Sequence, residues 1–314
     1  MTLGDCENED VSNHRALLDQ LRPRAFAIAY RMLGSVSEAE DIVQEALLRV
    51  HQAASSGTKI DSPQAFVTTI TTRLSITELQ SARARRERYF GDWLPEPLIT
   101  DADPADRVET MDALSLALLV TLETLSPEQR AALLLHDVFD YDYAQIADVV
   151  GTTADNARQL VSRARGRVGD RTPRYEATPE SHRELVQRFF AAAEDGDLAG
   201  LEALLASGVV MRGDGGGKVP ALGRTVLGRQ RVAKTLVNGT RAYRRLPGVS
   251  IRLVEVNGGP GALYVDQDER ILAVVSLQII GQEITSVDAI VNPDKLVHLG
   301  PLGDVKALLA QIRG

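Results

Sequence analysis

Up to about residue 206 the apolar residues recur at intervals of three and four; beyond it they alternate or form β-branched runs. This switch of period from near 3.6 to near 2 constrains the fold most, because a helical pattern does not settle as a strand. Residues 12–90 and 111–168 are helical in pattern. Two more helical pieces, 181–194 and 198–206, precede runs at 208–212, 250–256, 261–267, 271–280 and 283–291. Between the first two runs, GRQRVAKTLVNG reads as another helix. Helices followed by strands with tight Gly-rich turns predict an α+β domain with a mostly antiparallel sheet. The tail segment LGDVKALLAQIR forms one final amphipathic helix on this reading.

Two stretches interrupt the helical pattern. Gly91, Pro95, Pro97 and Pro104, with scattered acids, make 91–110 a linker, since proline removes a donor and clashes inside a helix. TPRYEATPE (172–180) is the second. The expected domains are therefore 10–90, 111–171 and 181–297, with a tail at 298–314. The first linker carries WLPEP (93–97) and with it the only tryptophan of the chain. Trp93 is expected to anchor the connector in an apolar site, either on the C-terminal domain near Gly215–Lys218 or on the preceding helical domain.

The net charge of −8 argues on average against nucleic acid, but the distribution is blocky. RARRER (83–88) holds four arginines against one glutamate, and 158–174 holds six arginines against one aspartate. Residues 96–112 hold six acids and one arginine. Screening limits the reach of a charge to about 8–10 Å, so the blocks outweigh the sum. Cys6 is the only cysteine, which excludes an internal disulfide and a CxxC zinc site. The sequence has no run of about 18 apolar residues and no apolar stretch in MTLGDCENEDV, so the expectation is a cytoplasmic chain without a membrane partner. No metal cluster or cofactor motif is visible.

Local signals place the helices. Ser37 with Glu40 forms a capping-box pattern, followed by an apolar face of Ala39, Ile42, Val43, Ala46, Leu47 and Val50. The other face shows Glu38, Asp41, Gln44 and Glu45, which taken alone reads as a plain solvated face. Pro63 after Ser62 suits the first position of a helix whose buried side is Phe66, Ile70 and Leu74. Ser126-Pro127-Glu128-Gln129 opens another. YAQIADVV, Gly151, then TTADNARQLVSRARGRV has helix–turn–helix form, with Thr152 and Asp155 expected as a reciprocal cap. Ala157, Leu160, Val161, Ala164 and Val168 face inward, leaving Asp155, Asn156, Arg158, Gln159, Ser162, Arg163 and Arg165 outside, with donors for base edges and phosphates.

In this order the features resemble bacterial sigma factors. EAEDIVQEALLRV (38–50) looks like their polymerase-clamp helix, TTITTRLSITELQSARARRER (68–88) like their −10-reading region, and residues 125–168 like their −35-reading helix–turn–helix. The small size resembles the extracytoplasmic-function class. WLPEP, GDGGGKVPA (213–221) and NPDKL (292–296) resemble one subgroup of it, the sigma-J type, with a C-terminal SnoaL-like domain of cone-shaped α+β fold. The implied architecture is multidomain: two all-α sigma domains, the second with the helix–turn–helix, followed by that α+β domain.

The resemblance implies core RNA polymerase and promoter DNA as partners. Asp41, Gln44 and Glu45 become polymerase contacts, and Arg83, Arg85, Arg86 and Arg88 phosphate contacts near the −10 element. Tyr89 and Phe90 either stack on an unpaired base or pack. Many relatives carry Asn, Asp and Arg where this chain has Arg73, Thr77 and Gln80, which leaves the −10 specificity open. For the −35 element Arg158, Ser162 and Arg165 form one stripe, with Asn156, Gln159 and Arg163 beside it. Asp101, Asp103, Asp106, Glu109 and Asp112 either mimic nucleic acid in the polymerase cleft or form a solvated spacer.

The loop Asp214, Gly215, Gly216, Gly217, Lys218 fails as a Walker A motif, because Arg212 and Val219 stand where Gly and Ser or Thr are needed. Its glycines read as a tight connection permitting close approach of another backbone. The resemblance adds that this loop, with Asn292, Pro293, Asp294, Lys295 and Leu296, meets the linker residues Trp93, Leu94, Pro95, Glu96 and Pro97 and regulates between domains. Catalysis is not expected: the domain has only His182 and His298, and Asp214, Asp266 and Asp288 stand alone. A small ligand tuning the C-terminal domain is left open. The competing readings are a helix–turn–helix regulator with a ligand-sensing domain, and a SnoaL-type enzyme fused to a DNA-binding domain.

Overall fold

The computed structural model describes residues 3–86, 89–100, 115–169, 179–246 and 248–313. These fall into two compact units, one holding residues up to 85 and 121–169, the other 86–100, 115–120 and 179–313.

The first unit is helical: α1 (Leu3–Leu33), α2 (Val36–Ser55), α3 (Pro63–Arg86), α5 (Pro127–Asp137), α6 (Tyr143–Val150) and α7 (Ala154–Val168), with α4 (Leu116–Leu122) leading in. Ala39, Val43, Ala46 and Val50 of α2 are fully buried, as their spacing by fours and threes requires. The cap of α2 is Ser35, not Ser37. Gly34 at φ +67° turns the chain out of α1, leaving Ser35 extended with its Oγ accepting from Glu38 N at 3.2 Å. Gln129 closes the expected capping box with Ser126. Buried Arg130 ties α1 to α4 and α5: it donates to the Met32 carbonyl, to the Leu122 carbonyl at 3.0 Å and to Glu123 at 2.5 Å.

The second unit contains α8 (Pro179–Asp195), α9 (Leu198–Leu204), α10 (Arg229–Arg244), α11 (Val305–Arg313) and six strands: β1 (Leu205–Asp214), β2 (Val226–Leu227), β3 (Ser250–Val256), β4 (Gly259–Val265), β5 (Ile271–Ile280) and β6 (Glu283–Ile290). The sheet order is β2-β1-β6-β5-β4-β3. It is mostly antiparallel, as expected, with one exception: the meander β3 to β6 ends with β6 parallel to β1, pairing Asp214 with Ile290. One sheet face packs on the helices through Phe189, Leu201, Val232, Leu272 and Val287. The other face carries Val256, Leu263, Val265, Val274 and Ile290, covered by Leu94, Leu116 and Leu296. Burial on both faces explains why β5 reads as the nearly unbroken apolar run ILAVVSLQII.

Asp101, Asp103, Asp106, Glu109 and Asp112, and most of the 172–180 linker, lie outside the described residues.

Candidate linker-docking site and DNA-reading surface

Residues 89–100 are built into the second unit by contacts along their length. Asp92 Oδ2 accepts from Thr225 Oγ1 at 3.0 Å, and the Pro97 carbonyl meets His298 Nε2 at 2.8 Å. Leu98 and Asn257 exchange two hydrogen bonds, Leu98 N to Asn257 Oδ1 at 3.1 Å and Asn257 N to Leu98 O at 2.8 Å. Ile99 then pairs with Val256, extending the sheet past the β3 edge. Two prolines make this extended path natural, since they favour φ near −65° and resist helix.

At the head of this segment lies Asp214, the last residue of β1. Its carboxylate is fully buried and accepts from Tyr89 Oη at 2.5 Å, Leu94 N at 2.8 Å, Gly216 N at 3.1 Å and Lys295 Nζ at 2.7 Å. Lys295, also buried, donates to the Leu94 carbonyl and lies 4.9 Å from the Tyr89 ring centroid and 4.0 Å from that of Trp93. Burial lowers its pKa to about 8, against the opposing pull of Asp214. Burial, then the hydrogen bond to Asp214, pushes the Tyr89 phenol well above its ordinary range, so it stays a donor. Asn292 Nδ2 donates to Tyr89 Oη at 2.8 Å.

The three glycines are explained by these contacts. Gly216 and Gly217 have φ of +58° and +70°. A Cβ on Gly216 would stand 2.4 Å from Asn292 Nδ2, and one on Gly215 would stand 2.2 Å from the Val219 carbonyl. The close neighbour of Gly216 is thus the Asn292 side chain, while Gly215 meets backbone as expected. Lys218 pairs with Asp294 at 2.6 Å on the surface, where such pairs contribute little.

Trp93 does not fill the apolar site. It is half-buried, with the Arg86 guanidinium 3.7 Å from its ring centroid and Lys295 on it as well. The residue that enters the core is Leu94, which is fully buried with Val265, Val274 and Leu296. Pro95, Glu96 and Pro97 are buried too. Arg86, expected on phosphate, is engaged with Trp93. The side chains of Arg83 and Arg85, and all of Arg88, lie outside the described residues.

The helix–turn–helix is formed by α6, Gly151 in the left-handed region at φ +78°, and α7. The cap of α7 is Thr153, which accepts from Asn156 N at 3.2 Å; Thr152 instead takes the Asn156 side chain at 2.7 Å. Gly151 is the C-cap of α6 and Thr152 completes the turn, so the cap of α7 falls on Thr153. Asp155, Asn156, Arg158, Gln159, Ser162, Arg163 and Arg165 are all exposed, and Ala157, Val161, Ala164 and Val168 are buried. Two of the arginines already have carboxylate partners: Arg158 is 3.1 Å from Asp155, and Arg165 Nε donates to Asp137 at 3.1 Å. Partial burial works to raise the Asp137 pKa, but Arg165 and His136 outweigh it and leave it lowered.

Comparison with known proteins adds to this geometry. Residues 17–85 match sigma-70 region 2, and residues 115–168 match sigma-70 region 4. The ECF RNA polymerase sigma factor SigJ of Mycobacterium tuberculosis is 37% identical over 301 residues, 92% of this chain and 95% of the relative. The chain belongs to the extracytoplasmic-function (ECF) sigma factors. The probable sigma factor SigI of the same organism is 33% identical, over 90% of this chain and 92% of its own length. The crystal structure of SigJ superposes with a TM-score of 0.73 at 34% identity, over 90% of this chain and 98% of the other.

In this sigma factor Asp41 and Gln44 are exposed on α2, and Glu45 is half-exposed beside Arg49 at 2.7 Å. Leu48, 49% exposed, continues the same stripe and was absent from the sequence reading; an apolar residue out of phase with the buried face is the signal for it. Asn257, and the contact of His298 with the linker, are not foreseen from the sequence. Asn257-Gly258 reads as a hairpin turn, with Asn257 at φ +53°, but nothing local says that this turn receives a linker.

Two of the cavities among the described residues of the second unit bear on ligand binding. One, of about 90 Å³, sits between the helices and the sheet, lined by Phe189, Met211, Tyr243 and Tyr264. The other is an open groove of about 400 Å³ walled by Lys218, Val219, Leu272, Pro293, Leu296 and Lys306.

Proposed function

We propose that this sigma factor binds core RNA polymerase and promoter DNA in the cytoplasm, and that its C-terminal domain modulates it in cis through the linker. The observation that carries the regulatory half is the buried Asp214 carboxylate, held by Tyr89 Oη before WLPEP and by Leu94 N within it. Whatever loosens Asp214 frees the connector between the two DNA-reading regions. Asp41, Gln44, Glu45 and Leu48 form the polymerase-facing stripe. Arg158, Ser162 and Arg165, flanked by Asn156, Gln159 and Arg163, read the −35 element. Arg83, Arg85 and Arg88 are retained as −10 phosphate contacts, whereas Arg86 serves the linker site.

The C-terminal domain acts by binding rather than by catalysis on this reading. Its carboxylates are committed: Asp288 takes Arg212 at 2.6 Å, and Asp266 takes Arg270 Nε at 2.8 Å and Arg270 N at 3.0 Å. A tuning ligand fits the open groove better than the inner cavity, because about 150 Å³ is what a dry cavity needs to admit benzene. The groove's wall also belongs to the loops that hold the linker.

The test is co-purification with core polymerase, followed by promoter run-off with wild type and Asp214→Ala. Binding to core, with run-off altered by the substitution, is the expected outcome. Failure to bind core would sink the sigma reading, and unchanged run-off the regulatory one.

A further inference from the structure

Residues outside α7 reach both arginines of its stripe. Asp137, the last residue of α5, takes Arg165 from the side: Nε donates to Oδ2 at 3.1 Å and Nη2 donates to Oδ1. Tyr143, the first residue of α6, lies against Arg158, whose guanidinium carbon is 5.0 Å from the ring centroid. His136 joins the two supports. Its ring stacks on Tyr143 at 4.9 Å and 29°, and its Nδ1 is 2.7 Å from Asp137 Oδ1 and 3.1 Å from Arg165 Nη2. Contacts therefore run unbroken from Arg158 through Tyr143, His136 and Asp137 to Arg165.

Stability does not account for this chain of contacts. The Arg165 and Asp137 side chains are 52% and 32% exposed, and ion pairs so open to water contribute little. A carboxylate beside a phosphate-binding face also repels DNA, so it weakens binding unless it shapes a neighbour. The geometry of the guanidinium supplies that role. The fork on Nε and Nη2 occupies its side edge. With its proton on Nδ1, the His136 ring donates to Asp137. The outer hydrogens of Nη1 and Nη2 are then left for O6 and N7, the acceptor pair that guanine presents in the major groove. Tyr143 is itself fixed, because its ring packs on the core of Leu135, Ile146 and Val161 while the Asp142–Gln145 capping box holds its backbone. Its π face attracts the Arg158 cation. An arginine already held in place gives up less rotamer freedom on binding, a gain of about two- to tenfold in affinity for each side chain.

We infer that Asp137 and Tyr143 are positioning residues for −35 recognition, Asp137 aiming the outer edge of Arg165 and Tyr143 aiming Arg158 at base edges. Seven residues separate the two arginines, about 10.5 Å along α7 or roughly three base-pair steps, so each faces its own base pair. The inference rests on the −35 role given to Arg158 and Arg165 above.

The test uses holoenzyme, assembled from core polymerase and the full chain, to select from a duplex library randomised across both promoter elements. Sequencing of the retained duplexes gives the base preference at each position, and thermal unfolding of each free chain is measured alongside. Arg158→Ala and Arg165→Ala are each expected to abolish the preference at one −35 base pair, which marks the two positions. Asp137→Asn and Asp137→Ala should lower the preference at the Arg165 position about fivefold or more, while total retention holds or rises because a negative charge is gone. Tyr143→Ala should do the same to the preference at the Arg158 position, and Tyr143→Phe, which keeps the ring, should restore it. An unchanged preference at the Arg165 position in Asp137→Asn, with tighter binding throughout, makes Asp137 a competitor of DNA and overturns the inference. A fall at every position together with a lower unfolding midpoint makes both residues structural and overturns it as well. If Arg158→Ala and Arg165→Ala leave every preference intact, the −35 assignment itself fails and the inference with it.

Discussion

Replacing Asp214 with alanine tests whether one buried carboxylate holds the linker. Asp214 and Lys295 are 2.7 Å apart with side chains 0% and 7% exposed. Removing one partner of such a pair costs about 3–5 kcal/mol, because the other charge stays buried without compensation. Tyr89 Oη and Leu94 N also lose their acceptor. Lys295 can relieve part of the penalty by releasing its proton, since burial already lowers its pKa to about 8 and Asp214 is what opposes that shift. The lower end of the range is therefore expected, about 3 kcal/mol or more than a hundredfold in the docking equilibrium. Trp93 is the only tryptophan, so its fluorescence during urea titration reports the linker directly. Asp214→Ala should lower the midpoint of that transition. Adding Lys295→Met should cost little more, giving an interaction energy of about 2–3 kcal/mol in the double-mutant cycle. A loss under about 1 kcal/mol for Asp214→Ala, or strict additivity, would refute the reasoning.

Other outcomes follow from the same contacts. Leu94→Ala removes a fully buried side chain and should destabilise the second unit by about 2–5 kcal/mol in chemical denaturation. Gly216→Ala places a Cβ 2.4 Å from Asn292 Nδ2 at positive φ, and should cost about 1–3 kcal/mol while Gly223→Ala, with open space around it, costs less. Lys295 has a lower pKa folded than unfolded, so the unfolded chain binds more protons between about pH 8 and 10.5. Its burial cost is full below pH 8 and is relieved as pH rises through that window. Wild type should therefore gain stability relative to Lys295→Met from pH 8 to 10, and a loss over that range would contradict the assignment. Arg163→Ala should weaken promoter binding evenly across sequences and reduce the salt slope by about one, measured by fluorescence anisotropy of the holoenzyme on labelled promoter.

The helices were legible because their signals are local. Ser126 to Gln129, Gly151 and the spacing of Ala157, Val161, Ala164 and Val168 lie within single turns of one another. Where two local signals compete, an error of one or two residues results, as between Thr152 and Thr153 or Ser35 and Ser37. The strands were legible from alternation, but the parallel pairing of β1 with β6 was not, since periodicity names no partner. The linker site was visible only as a resemblance. Asp214 looked like a lone carboxylate because Leu94 lies 120 positions before it and Lys295 lies 81 after it. Arg86 read as one member of a charge run, and no sequence rule separates a phosphate contact from a cation stacked on Trp93.

The proposal that matters most is a sigma factor governed by its own C-terminal domain. Run-off transcription with core polymerase measures it most directly, comparing the full chain with chains ending at about residue 300 and about residue 175. The account predicts three distinct yields: removal of residues 176–314 changes activity, and loss of the tail alone has a different effect. Equal yields from all three would contradict it.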